Sequence, residues 1–246
     1  MVTRDRVELA EHAVACFAGQ TWPSRELVII DDGCVDYGPM LEPYLPRARI
    51  RYLRIAHTQG QTLGALRNLS IDESSGTWCL QWDDDEWYHP DRIAVQFAAL
   101  GTNLASALRW TLMEVNSPRH GQLVFRADAG TATPGTLMFR RDLARYPNLA
   151  RGEDSVFMLD VRRRGGLSVL GREQAHLFVR RFHGANTWDE RHFLRRLHRR
   201  PADWPSWAWS MWWCRDPRRH RAFRLSPGEL ATARSLVTLH RDDAHG

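Results

Sequence analysis

The sequence predicts an α/β domain built on a largely parallel sheet. In its first half, short apolar runs alternate with amphipathic segments, which is the pattern of strand–helix–strand units. Two of these runs lead directly into acidic residues, the first at Asp31 and the second at Asp83. Because such sheets bind ligands at the carboxyl ends of their strands, we expect both acidic clusters at one functional edge.

The strands and helices of the first half are predicted from the spacing of apolar residues and from the glycine and proline residues at element ends. Residues 1–3 would form only the end of a truncated first strand, and a helix is predicted from residue 7 because apolar residues recur at helical spacing (Ala10, Ala13, Val14 and Phe17). The predicted strands are 26–30, 50–55 and 77–82. A second helix ends near Gly76, and a third begins at Pro90, since proline suits a first helical turn.

The second half has weaker patterns. Residues 106–117 and 122–128 alternate like strands of a hairpin or mixed sheet, and 135–149 resembles a strand running into a short helix. A further helix is predicted to end at Gly165. Residues 201–217 contain five of the eleven tryptophans, so we predict a Trp- and Arg-rich helical extension over 201–246, after a domain over 1–200.

Composition limits the function classes. The net charge of +5 and isoelectric point near 9.4 come from arginine alone, because the chain has no lysine. Since aromatic and basic residues are not interleaved as in single-strand or RNA modules, we expect no nucleic-acid partner. The arginine runs suit solvated helix faces, an anionic ligand, an acidic membrane surface or a partner protein.

The cysteines and the hydropathy indicate a compartment. The four cysteines are widely spaced with no CxxC pair, so they are predicted to be free thiols in a reducing compartment rather than zinc ligands or disulfides. No apolar stretch of about 20 residues is present. We therefore expect a soluble, cytoplasmic protein, with the inner membrane surface as the alternative location.

The acidic run 83–86 is the strongest chemical feature. If the strand continues through it, Asp83 and Asp85 lie on one face and Asp84 on the other, since side chains alternate along a strand. Two carboxylates on one face suit Mg²⁺ or Mn²⁺, which usually adds water and substrate phosphates to its shell. The alternative is an exposed acidic turn before a helix, where acids are favoured.

The motifs in order resemble those of the family 2 glycosyltransferases of GT-A fold. The resemblance runs over about residues 3–190 and is carried by "CFAGQTWPSRELVIIDDG", "LGALRNLSIDESSGTWCLQWDDDEWYHPDRIAVQ", "GTLMFRRDL" and "RGEDSVFMLD". It implies a Rossmann-like, mostly parallel central sheet flanked by helices. It also implies an inverting, Mn²⁺- or Mg²⁺-dependent transfer from a nucleotide-sugar donor, with a UDP-sugar favoured, in polysaccharide or glycoconjugate biosynthesis.

The same resemblance assigns the donor-binding residues. The family's DxD motif falls on Asp83, Asp84 and Asp85, whose first acid meets the donor ribose and whose last binds the metal. Its nucleobase-binding acid falls on Asp32, with Asp31 as the close alternative. Two further positions match the family: Thr3 near the nucleoside, and Arg67 near the diphosphate, with a surface arginine on a helix as the alternative for Arg67.

The resemblance also implies the catalytic residues. The family's "ED" motif places the catalytic base at Asp154, with Glu153 as a neighbour that orients substrate. An acid pair at a helix N-terminus is the alternative for both. His183, in "RFHGANTW", would approach the metal or the diphosphate, although a lone histidine is more often structural.

The partners follow less directly. The acceptor is an unidentified glycan, lipid or small molecule, and the tryptophan-rich segment suits the acceptor side, a peripheral membrane contact or a partner face. The leading prediction is a glycosyltransferase of the hexosyltransferase type. The alternative is a catalytically impaired binding or partner module with the same fold.

Overall fold

The computed structural model describes residues 1–149, 152–184, 186 and 189–243, the last seven by their backbone alone. The chain forms two compact units. The first unit comprises Met1–Leu108 and Ala132–Leu170, and the second comprises Arg109–Thr131 and Gly171–Gly246. The predicted domain boundary at residue 200 lies inside the second unit and stays a prediction.

Mostly short strands and helices make up the regular structure of the described residues. The strands are β1 (Val2–Thr3), β2 (Glu26–Asp31), β3 (Arg49–Arg54), β4 (Trp78–Leu80), β5 (Trp87–Tyr88), β6 (Ala105–Leu108), β7 (Trp110–Ser117), β8 (Gly121–Asp128), β9 (Met138–Arg140), β10 (Ser168–Leu170) and β11 (Phe178–Phe182). The helices are α1 (Val7–Ala18), α2 (Gly38–Leu41), α3 (Leu63–Asp72), α4 (Arg92–Ala98), α5 (Glu153–Gly165), α6 (Glu190–Leu194), α7 (Trp204–Ala208) and α8 (Pro227–Asp243).

The parallel sheet of the first unit has the strand order β1–β2–β3. Val2 lies opposite Ile30, and β3 runs beside the whole of β2. The strands predicted over 26–30 and 50–55 are confirmed to within one residue; β2 is a buried apolar run, whereas β3 alternates between exposed and half-buried residues. The third predicted strand is shorter than expected and ends at Leu80, before the acidic run.

The second sheet of the first unit has the order β10–β6–β9–β4. β10 pairs with β6 in parallel, whereas β9 runs antiparallel to both β6 and β4. The short helix expected after β9 does not form, since residues 141–149 are turns and irregular chain. The α/β class with a parallel-containing sheet is confirmed.

Helices of the first unit bury apolar side chains, including the stripe that the sequence predicts for α1. Ala10, Ala13 and Val14 of α1 are completely buried. On α5, Phe157 lies in a buried cluster and stacks on Tyr146 with ring centres 3.8 Å apart. This packing fixes the N-terminus of α5 within the first unit.

The second unit is built on the hairpin β7–β8, with β11 parallel to β7. The hairpin predicted from alternation is therefore confirmed. Buried ion pairs hold its side chains, including Arg181 with Glu114 at 3.0 Å and Arg126 with Glu229. Across the part of the chain with described placement, no helix is both long and apolar enough to cross a membrane.

Candidate active site

The acidic run 83–86 leaves the strand and enters a turn. β4 ends before the first acid, and Asp84 and Asp85 occupy the turn itself. The Tyr88 hydroxyl closes this turn, since it accepts a hydrogen bond from the Asp83 N–H at 2.6 Å and donates to the Asp83 carbonyl at 2.9 Å. The expectation that Asp83 and Asp85 share a strand face is therefore wrong, because strand alternation stops too early.

Asp84 is the most buried of the three aspartates. Its side chain is 8% exposed, against 26% for Asp83 and 19% for Asp85. The Thr3 hydroxyl donates to Asp84 Oδ2 at 2.7 Å. Burial, reinforced by the adjacent charge of Asp85, raises the pKa of the Asp84 carboxyl to about 6. Asp84 thus ties the acidic turn to the end of β1.

Arg6 supplies positive charge to this turn, and sequence reasoning missed it. Its Nη1 lies 3.4 Å from Asp85 Oδ2 and 3.7 Å from Asp84 Oδ1. Its backbone N–H donates to the Tyr37 hydroxyl at 2.7 Å, which fixes the start of the segment leading to α1. The available signal was an arginine just after β1, at the edge where the acids were expected.

Arg67 joins two carboxylates that are distant in sequence. Its Nη2 donates to Asp83 Oδ1 at 2.9 Å, and its Nη1 donates to Glu153 Oε1 at 2.5 Å. The side chain is 12% exposed, so the surface-arginine alternative is wrong. Burial by itself lowers the pKa of the Arg67 guanidinium, but the surrounding carboxylates outweigh burial and raise that pKa above its usual value.

The acids at the N-terminus of α5 differ in exposure. Gly152 adopts a left-handed φ of 73°, which a side chain would strain, and this conformation starts the helix. Glu153 is buried and faces Arg67, and burial raises the pKa of its carboxyl. Asp154 is half-buried, and its Oδ1 accepts the Ser155 N–H at 2.6 Å. Asp154 therefore carries the more accessible carboxylate.

The acids at the end of β2 also have separate partners. Asp31 is completely buried, and its two oxygens accept hydrogen bonds from the Gly33 N–H and the Tyr52 hydroxyl, both at 2.8 Å. Asp32 Oδ2 lies 2.8 Å from Nδ1 of His57, a half-exposed residue that sequence reasoning did not single out. Asp31 thus serves the fold, whereas Asp32 pairs with a group that is open to solvent.

A chain of hydrogen bonds connects the two acidic clusters. The Tyr52 hydroxyl, which donates to Asp31, accepts the backbone N–H of Tyr37 at 3.2 Å. The Tyr37 hydroxyl lies 2.9 Å from Thr3 Oγ1, which in turn donates to Asp84. Burial raises the pKa of both tyrosines, that of Tyr52 to about 12, so both keep their protons near neutral pH. Hydrogen bonds therefore connect the end of β2 with the acidic turn that follows β4, although the two strands belong to different sheets.

His183 belongs to the second unit. Its backbone N–H donates to Asn186 Oδ1 at 2.8 Å, a contact within its own motif. Of that motif, residues 185, 187 and 188 lie outside the described part of the chain. The role of His183 at a metal or diphosphate stays a prediction.

The carboxylates of the turn fit a divalent cation that arrives with phosphate. Among the residues with described placement, no group of three or more His, Cys, Asp or Glu side chains is arranged to hold a metal. Asp83 and Asp85 instead offer partly exposed oxygen ligands on one turn. Mg²⁺ and Mn²⁺ at phosphate sites are commonly held by one or two carboxylates, with substrate phosphates and water as the other ligands.

A cavity of 470 Å³ lies between β2 and β4 in the first unit. Its lining includes residues 26–28 on one side, residues 78–80 on the other, and Arg67. The α-amino group of Met1 donates to the Val28 carbonyl at 2.6 Å, and burial lowers the pKa of that amino group to about 6. Met1 also lines the cavity, so residues placed before it would run alongside β2.

We expect residues added before Met1 to extend β1 into this cavity and to stabilise the fold. A variant with Met-Ile-Val placed before Met1 would extend β1 along β2 and bury apolar side chains, so its free energy of unfolding should rise by about 2 kcal/mol. Urea unfolding measures that change. A Met-Gly-Ser extension of equal length is the control, and an equal effect of both extensions would contradict strand formation in the cavity.

The fold and the connected acids indicate where this chain would bind a ligand, because α/β sheets bind ligands outside the carboxyl ends of their strands. The family model described as glycosyl transferase family 2 matches residues 1–145. The chain belongs to glycosyl transferase family 2.

Two curated relatives match parts of the chain. The "Putative glycosyltransferase EpsH" of Bacillus subtilis (strain 168) is 32% identical over 72 residues, which are 29% of this chain and 21% of that relative. An "Uncharacterized glycosyltransferase" of Rickettsia felis is 30% identical over 100 residues, 40% of this chain and 16% of that relative. The matches thus span about a fifth of the relatives' own length or less.

Solved structures of S. aureus TarS (residues 1–349) share the GT-A fold with this chain. The complex of TarS with UDP aligns with a TM-score of 0.58 at 17% identity, over 93% of this chain and 75% of TarS. The complex with UDP-GlcNAc aligns with a TM-score of 0.57 at 18% identity, over 75% of this chain and 58% of TarS. At this level of identity the likeness shows the fold.

Proposed function

We propose that the chain is an inverting, metal-dependent glycosyltransferase that moves a hexosyl group from a nucleoside-diphosphate sugar to an acceptor hydroxyl. The observation that carries the proposal is the connected network of Thr3, the three aspartates of the turn, Arg67 and Glu153 within the first unit. Membership of glycosyl transferase family 2 supports it. A UDP-sugar is the favoured donor, since the TarS structures hold UDP and UDP-GlcNAc.

The donor would lie along the connected strand ends. Asp32 suits the imide N–H of a nucleobase, because a carboxylate accepts that hydrogen bond and because both oxygens of Asp31 already serve the fold. Thr3 and Asp84 would form the nucleoside side, and the DxD pattern assigns the ribose to Asp83. Arg67 would place its charge near the diphosphate while its two carboxylate partners hold its orientation.

Asp85 is the proposed ligand of Mn²⁺ or Mg²⁺, which is a DxD-type role. The bound ion would supply Lewis-acid stabilisation of the leaving nucleoside diphosphate. Asp85 is partly exposed on the turn, whereas Asp84 is buried against Thr3, which makes Asp85 the more accessible ligand of the two.

Asp154 is the proposed catalytic base. Inversion requires a base that removes the acceptor proton while the acceptor oxygen attacks the anomeric carbon opposite the leaving phosphate. The accessible carboxylate of Asp154 suits this step, and buried Glu153 would position the site through its ion pair with Arg67. The acceptor is proposed as a glycan, lipid or small-molecule hydroxyl in polysaccharide or glycoconjugate biosynthesis.

A thermal-shift panel tests donor binding. With Mn²⁺ present, saturating UDP-sugar should raise the melting temperature by about 5 °C, since a ligand at 100 times its Kd adds about 2.7 kcal/mol of stability. GDP- and dTDP-sugars serve as matched ligands, and the shift should disappear on addition of EDTA. A panel in which no nucleotide-sugar shifts the melting temperature would overturn the proposal.

A catalytically impaired partner module of the same fold is the second candidate. The observation behind it is that Arg67 pairs with Asp83 and Glu153 and that Arg6 pairs with Asp85, so groups of the protein itself already pair with these carboxylates. This candidate predicts a donor-induced thermal shift with no donor turnover. Measuring nucleotide release beside the thermal shift separates it from the enzyme.

A further inference from the structure

The second unit exposes an unusual number of indole rings on one short segment. Residues 204–213, the tryptophan segment, present four tryptophans that are each at least half exposed: Trp204 at 51%, Trp209 at 54%, Trp212 at 70% and Trp213 at 78%. Large contiguous apolar patches on a protein surface mark interaction sites, whereas single exposed apolar residues need no explanation. We therefore expect this segment to be an interaction site.

The tryptophan segment is held in place from its inner side. α7 continues into a π-helical turn over Trp209–Trp213, and the Ser210 side chain is buried and donates to the Trp207 carbonyl at 3.0 Å. Trp207 packs against the buried cluster of the second unit. The four exposed indole rings, called the outer rings, are thus not needed for the core, because Ser210 and Trp207 already anchor the segment.

The outer rings have a fixed arrangement. Trp209 and Trp213 stack with their centres 6.0 Å apart and their planes 12° apart. Trp212 packs edge-on against Trp207 at 5.6 Å. A nucleic-acid platform needs indole faces that are open to bases, and the stacked pair already shares one face of each ring. This geometry disfavours a nucleic acid as the occupant.

The charge around the tryptophan segment is mostly positive. Residues 195–224 contain nine arginines but only two aspartates, so this stretch is strongly cationic. Arg215, Arg218 and Arg219 are exposed and follow the last tryptophan directly. Tryptophan is favoured at the headgroup depth of a bilayer, and arginine beside it is attracted to anionic headgroups.

We propose that the tryptophan segment binds the surface of a bilayer that contains anionic phospholipid. The indole rings enter the headgroup region, and the neighbouring arginines pair with the lipid phosphates. Both features are needed: apolar area gives the depth of insertion, and the charge attracts the segment to an anionic surface. The inference concerns the second unit and is independent of the proposed transfer reaction.

Vesicle co-sedimentation tests this proposal. The whole chain should bind phosphatidylcholine–phosphatidylglycerol vesicles but bind pure phosphatidylcholine vesicles about tenfold more weakly, and added salt should reduce binding to the anionic vesicles. The double variant Trp212→Ser/Trp213→Ser should lose about tenfold in affinity for the anionic vesicles. Both rings are largely exposed, so an unchanged melting temperature is expected and confirms folding.

The control removes apolar surface elsewhere. Leu45→Ser/Leu230→Ser changes two exposed side chains outside the segment, 53% and 43% exposed, and should leave vesicle binding unchanged. Full vesicle binding by the tryptophan double variant would overturn the proposal. An equal loss of vesicle binding in both double variants would also overturn it. A third contradicting result is a single-stranded oligonucleotide that binds the native chain but not the tryptophan double variant, while neither protein binds vesicles.

Discussion

Asp85→Asn should lower the rate of donor turnover by about 100-fold or more, because it removes the charged oxygen ligand through which Mn²⁺ or Mg²⁺ would act on the leaving diphosphate. Asn keeps the size of the side chain but not its charge, so packing in the turn is preserved. The Mn²⁺ concentration that gives half-maximal activity should rise in the same variant. Initial rates of nucleotide release across a Mn²⁺ titration measure both quantities.

The control for this variant is Asp142→Asn. Asp142 lies in the same unit, is 69% exposed at its side chain and pairs with Arg140 on the surface. It should keep full activity and an unchanged Mn²⁺ requirement. If Asp85→Asn behaves like this control, Asp85 is not the metal ligand, and Asp83, on the same turn, becomes the first candidate to test.

The strands and helices of the first unit could be predicted because their signals are local. The run 26–30 is β-branched and ends at acids, and the stripe of α1 repeats at helical spacing, so each element is specified by its own residues. The rule for parallel sheets predicts the two acidic clusters at one edge, but β2 and β4 belong to different sheets. The clusters are instead joined by the hydrogen bonds that connect Asp31 to Asp84.

The acidic turn could not be predicted because non-local contacts determine it. Strand alternation was the simplest assumption for residues 77–85, but the Tyr88 hydroxyl binds both backbone groups of Asp83 and turns the chain. Arg92 supports the same region, with its Nη2 donating to the Gln81 carbonyl at 3.1 Å. Nothing in the spacing of the acids indicates these partners.

The partners of Arg67 show the same limit. A motif assigned Arg67 to the diphosphate, but only the folded chain brings Glu153 and Asp83 to its two nitrogens. Likewise, each unit is made of two separate segments of the sequence, because the hairpin of β7 and β8 pairs with β11, which comes later in the chain. The boundary predicted at residue 200 rests on composition, which contains no information about such pairing, and it stays a prediction.

Asp154→Asn should reduce donor turnover by about 100- to 10,000-fold while donor binding is kept, because the amide cannot accept the acceptor proton. The ion pair of Arg67 is made with Glu153 rather than Asp154, so the substitution leaves the proposed diphosphate contact intact. The side-chain oxygen of Asn still accepts the Ser155 N–H that Asp154 Oδ1 accepts in the native chain. Donor-induced thermal shift and nucleotide release, measured together, check the two halves of this expectation.

Glu153→Gln is the informative comparison because the two acids are adjacent but differ in burial. Removing the buried charge beside Arg67 should weaken donor binding and lower the melting temperature, since Arg67 loses one of its two carboxylate partners. Asp154→Asn should do neither. If Asp154→Asn instead abolishes the donor-induced shift, Asp154 acts in holding the fold or the donor, and the base must be sought elsewhere. If binding persists and turnover is lost only in Asp154→Asn, the half-exposed acid of α5 is the group that accepts the proton.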